Sequence, residues 1–232
     1  MQNPTSKTPI PRCITLGLYA ERALGRFPQN PSLAGLATKM GEITEALDEA
    51  HRAYEASAIT IVQARVDVKF ADYFSDTEIK QLLRRAELAD GRAGGPIYKA
   101  IAPEGQTALI RPFGQKQVDI LVDLEGILHA LAATWPGAAQ EEAVVKGLRT
   151  SYEAALQSRT ETWQKARDLR AARNVAKLAF VKGYTEISLG VKALFVHDKK
   201  MVDLLFDDVE SDIEKDLGAE EEPQASEGST PA

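Results

Sequence analysis

Glu42, Glu45, Asp48 and Glu49 gather four carboxylates near the start of a helical stretch. Such a cluster could hold magnesium, because a hard cation takes several oxygen ligands. A second acidic pair should then face it from another helix. Glu141-Glu142 is the candidate, and adjacent residues do not share a helix face. Acidic side chains are also simply favoured in the first turns of helices, which accounts for the cluster without a metal. Glu125 and His129 stand four residues apart and could share a metal, but no second pair of this kind accompanies them. A di-iron centre in a helical bundle needs Glu-x-x-His pairs on facing helices, and the sequence contains none. His197-Asp198 could join a metal site only with further histidines, and His51 and His129 are isolated. The sequence therefore implies no metal, no cofactor and no assembled acid–base or nucleophile group.

Cationic side chains offer more. Arg159, Arg170, Arg173 and Lys177 fall within one sector at about 100° per residue, with Trp163 at its edge. Four cations beside an indole could meet nucleic-acid phosphates or an acidic protein; the plainer account is a solvated helix face. The glycine-rich segment 91–114 carries Arg92, Lys99 and Arg111, and with Lys116 just beyond it these could greet an anion. No strand precedes it and no Gly-Lys-Ser/Thr follows, so it is not a phosphate-binding loop of that kind. If it does bind a ligand, Tyr98, Lys99 and Arg111 are the expected contacts. Otherwise it docks Ile97, Tyr98 and Ile101 over the end of a bundle.

The elements that must position these groups are helices. Residues 42–89 and 148–182 contain neither glycine nor proline. At 1.5 Å rise per residue the first could extend about 70 Å. Ile43, Leu47, Ala50, Tyr54, Ser57, Ile61, Ala64, Val68 and Ala71 recur at spacings of four and three, forming an a/d seam. Its flanks (Thr44, Ala46, Ala53, Ala58, Thr60) are small or polar rather than paired charges, which predicts a wider buried face in a bundle rather than an isolated coiled coil. A second stripe, Ile59, Val62, Val66, Phe70 and Tyr73, makes the same helix apolar on two sides. Such a helix must be covered twice. The expectation is a central helix of the bundle, with an oligomer interface as the alternative.

Around these, residues 1–31 read as an arm carrying a short helix over 13–26, with Ile14, Leu18 and Leu24 inward. Ser75-Asp76-Thr77-Glu78 has the form of a capping box, which predicts a break near 75 and a shorter helix over 76–89 ending at Asp90-Gly91. Within the irregular loop 91–114, Pro96–Ile101 is expected to make a helical turn and Ala108–Ile110 to run extended. Helices follow over 116–133, 138–195 and 199–208, the last closing the bundle through Met201, Val202, Leu205 and Phe206. Tyr54-Glu55-Ala56 and Tyr152-Glu153-Ala154 repeat a triplet, and chance accounts for it. The fold class is thus all-α: an antiparallel bundle of long helices over 32–208, with one long irregular loop and disordered termini.

Composition sets the limits. The chain has 232 residues, 44% apolar and 27% charged, with one cysteine. A single Cys13 excludes an internal disulfide framework and fits a reducing compartment. No apolar run is long enough to span a membrane, Ile14–Ala20 is too short for a secretory signal, and the cytoplasm is the expected location. The net charge of −6 conceals a division: residues 203–232 hold eleven acidic side chains against Lys215, leaving 27 basic and 23 acidic groups in 1–202. The 209–232 tail is read as acidic and largely disordered, and a contact between it and the basic face is expected. No family resemblance is close enough to name. The functional expectation is a non-enzymatic assembly or adaptor protein, with a protein partner or self-association. The alternatives are a small-molecule or anion binder, or enzyme, using the 91–114 loop, and a nucleic-acid binder using the basic face.

Overall fold

A computed structural model describes residues 3–207 of the chain. The tail at 209–232, with its expected disorder and charge contact, lies outside these residues. Seven helices account for the described chain, and it contains no strand: α1 (Ile10–Leu24), α2 (Pro31–Asp90), α3 (Pro96–Ile101), α4 (Gln106–Ile110), α5 (Gln115–Leu131), α6 (Ala138–Leu194) and α7 (Lys199–Leu205). The all-α class and the long helices follow the sequence pattern. Contacts divide the chain into two compact units, one of residues up to 54 with those from 169 onward, the other of residues 55–168.

The first unit packs α1 and α7 against the N-terminal part of α2 and the C-terminal part of α6. Its core holds Cys13, Leu24, Leu33, Met40, Leu47, Phe180, Tyr184, Val191 and Phe206. The ring of Tyr184 bridges Phe180 and Phe206 at centroid separations of 5.7 and 5.5 Å. Gly17 permits the close approach of α1: a Cβ there would lie 2.2 Å from Thr44 Oγ1 and 2.9 Å from the Phe180 ring. Tyr19 ties α1 to α7 by donating to the Leu204 carbonyl at 2.8 Å. Asp198 caps α7, accepting from the Met201 N–H at 3.0 Å. Leu18, expected inward, is exposed; Leu16, Gly17 and Ala20 take the inner side because α1 begins at Ile10 and packs through a face set by Gly17.

The second unit joins α2 from residue 55, α3–α5, and α6 up to 168. Ile79, Leu82, Leu83 and Ala86 of α2 meet Leu121, Leu124 and Leu128 of α5 and Ala138 and Val145 of α6. Two expectations fail here. Helix α2 does not break near 75: Ser75 is buried and its hydroxyl donates back to the Ala71 carbonyl at 2.8 Å instead of capping a new helix. The seam explains this, because Ala64, Val68, Ala71, Ser75, Ile79, Leu82 and Ala86 keep one phase through the supposed cap. Residues 106–110 form the short helix α4 rather than an extended run. The loop thus holds two helical turns, separated by Gly105 at φ +88°.

Candidate interaction surface

Helix α2 presents two unlike faces between residues 57 and 75. On one side Ser57, Ala64, Val68 and Ser75 are buried. That side meets α6 through Asp72, whose carboxylate accepts from the Tyr152 hydroxyl at 3.0 Å. The opposite side, about 180° away at 100° per residue, carries Ile59, Val62, Val66, Phe70 and Tyr73. All five are exposed, from 43% at Val66 to 65% at Ile59. Phe74 extends the patch: its ring lies 6.0 Å from Phe70 and 5.7 Å from Tyr73. The central-helix expectation is therefore overturned, since nothing in the described chain covers this stripe. The reason is one of layers: α3–α5 pack on the seam side further along, leaving the outer side bare. The expected wider buried face also narrows, because Ala46, Ala53, Ala58 and Thr60 are exposed and only Thr44 is buried.

The cationic sector is largely taken up internally. Arg173 is half-buried, and its guanidinium stands 4.0 Å from the centroid of the Tyr54 ring, a contact that uses the face of the aromatic ring. Lys177 donates to the Ser6 carbonyl at 2.7 Å. Arg170 is exposed in the same unit, whereas Arg159 (half-buried) and Trp163 (exposed) belong to the other. Of the loop candidates, Tyr98 is half-buried against the second core, while Lys99 and Arg111 are exposed. Asp90 braces that loop by accepting from the Ile97 and Tyr98 N–H groups at 3.0 Å each.

Sequence reasoning missed the polar clamps that hold the second unit. Tyr152 is fully buried; its hydroxyl accepts from the Gly114 N–H at 3.0 Å and donates to Asp72, so one oxygen ties the loop end to both long helices. Burial, above all, pushes this phenol up to about 12, with Asp72 adding to the effect. Burial also raises the Asp76 carboxyl, and Asp72 reinforces it. Arg85 donates to Glu78 at 2.5 Å and to Glu141 at 2.7 Å. Arg149 donates to Glu125 at 2.6 Å and to both oxygens of Glu153 at 3.0 Å. Glu125 and His129 thus have different partners, His129 facing Glu142 at 3.3 Å. The repeated triplet splits in the same way: Tyr54 supports a cation, Tyr152 a hydrogen-bond relay.

Among the described residues no three His, Cys, Asp or Glu side chains are placed to hold a metal ion, and no helix is long and apolar enough to cross a membrane. Glu42, Glu45 and Glu49 are exposed, and Asp48 pairs with Arg52. Set against known proteins, the chain matches no family model, no curated sequence and no solved structure.

Proposed function

We propose that this chain is a non-enzymatic assembly or adaptor component that works through protein–protein contact on the outer face of α2. One observation carries the reading: Ile59, Val62, Val66, Phe70, Tyr73 and Phe74 are all exposed along one continuous helix side. A contiguous apolar patch of this kind marks an interaction site more often than it decorates a monomer. Aromatic residues dominate its C-terminal half, as they do at the energetic centres of interfaces. The basic sector supports a nucleic-acid role less, because Arg173 and Lys177 are engaged within the first unit.

The test is native mass spectrometry of the protein gently isolated from its own cells, beside a Val66→Glu, Phe70→Ser double variant. The wild type should appear as an oligomer or a defined complex, and the variant should lose that mass while keeping its helical circular dichroism. A wild-type monomer carrying a small molecule would overturn the reading and turn attention to Lys99 and Arg111.

A further inference from the structure

We infer that the partner of the outer α2 face is a second copy of the same helix, running antiparallel and centred on Val66. This rests on the assembly reading above and names its occupant.

The exposed residues are spaced symmetrically. From Ile59 the exposed residues follow at intervals of three, four, four and three, to Val62, Val66, Phe70 and Tyr73. That series reads the same in both directions about Val66. An antiparallel two-fold through Val66 therefore sets Val66 on Val66, Val62 on Phe70 and Ile59 on Tyr73. A two-fold interface must be self-complementary in this sense. The aliphatic half of each copy meets the aromatic half of the other. Phe74, at the edge of the stripe, falls beside Ala56 and Thr60 of the second copy, which leave room for a ring.

Charge at the ends favours the same direction. Glu55 precedes the stripe and Lys80 follows it, and both are exposed. Counting 100° per residue from Val66, both lie on one flank of the stripe, within about 40° of its centre line. In the antiparallel register Glu55 comes within about three residues, or roughly 4.5 Å along the axis, of Lys80 from the other copy. A parallel register would instead set Glu55 on Glu55 and Lys80 on Lys80. Arg65 and Asp67 lie about 100° to either side of Val66, outside the contact. Lys69 is nearer, but lies about 9 Å along the axis from its symmetry mate, a spacing that water-exposed ammonium groups tolerate.

The exposed area is sufficient for a dimer. At the observed exposures the six apolar side chains offer on the order of 600 Å² per copy, so two copies reach the roughly 1,000 Å² at which an interface becomes specific.

Cysteine cross-linking tests both occupant and direction, and Cys13, wholly buried, is left in place. Single variants Val66→Cys, Ile59→Cys and Tyr73→Cys are treated with a short bis-maleimide at tens of micromolar protein, and their masses are followed by sedimentation. Val66→Cys should couple to itself. Ile59→Cys mixed with Tyr73→Cys should give a crossed product, and neither should couple alone. Val66→Glu should sediment as a monomer, and mixing it with Val66→Lys should restore the dimer. Self-coupling of Ile59→Cys would overturn the antiparallel register. A monomeric wild type would overturn the second copy as occupant. If that monomer still lost a heterologous partner on Val66→Glu, the assembly reading would survive alone; if Val66→Glu changed nothing in either assay, both would fall.

Discussion

The two faces of α2 reverse the usual ordering of size with depth. The buried side between 57 and 75 is built from Ser57, Ala64, Val68 and Ser75, the exposed side from isoleucine, valine and aromatic residues. Small residues inside let a second helix approach closely, and they bury little apolar area, so this stretch gains modest stability from the hydrophobic effect. The large side chains outside stay 43–65% exposed, so most of their apolar surface is left available for a contact. On the proposed reading, the same helix serves folding on one side and association on the other.

Substitutions on the two faces should separate these roles. Val68→Asp, placing an unpaired carboxylate where the side chain is 1% exposed, should cost about 4 kcal/mol in urea unfolding. Unchanged stability would mean the seam is open to water. Alkaline titration comes next. Because the Tyr152 phenol is raised to about 12 in the folded chain against 10 unfolded, its contribution is whole below pH 10 and disappears as pH rises through 12. The stability of wild type relative to Tyr152→Phe should therefore fall by about 2–3 kcal/mol over that window. At neutral pH Tyr152→Phe alone should destabilise by about 1–2 kcal/mol, since Asp72 and the Gly114 N–H lose their shared partner. An equal loss at every pH would deny the hydroxyl its special environment. On the outer face, Phe70→Ser should shift the stability of dilute, unassociated protein by no more than about 0.5 kcal/mol. A larger cost there would show that Phe70 contributes to folding beyond its ring contact with Phe74.

Much of this architecture was legible in the order of residues. Asp90-Gly91 ends α2 because Gly91 takes φ +67°, and Pro96 opens α3 as the first residue of its helix. The seam from Ile43 to Ala71 named the inner face correctly. At Ser75 the local capping pattern yields to the apolar phase that continues through Ile79 and Ala86. Local hydrogen-bonding signals are worth about 1 kcal/mol, whereas an unbroken seam buries several side chains. The outer stripe was visible too, but its exposure depends on which helices lie opposite, and that is settled by packing rather than by periodicity. The Tyr152–Asp72 bond joins residues 80 positions apart, and no spacing rule reaches it. Arg173 and Lys177 looked free on a helical wheel because the wheel omits Tyr54 and the N-terminal segment that receive them.

Cys13 sits at 0% exposure inside the first unit, and burial raises its thiol, overcoming the opposing influence of Lys177 and Arg12. As the chain's single sulfhydryl, it makes the protein its own clock. A thiol reagent can reach it only when α1 lifts from its neighbours, so the rate of labelling reads the opening frequency of that unit while residues 55–168 stay silent.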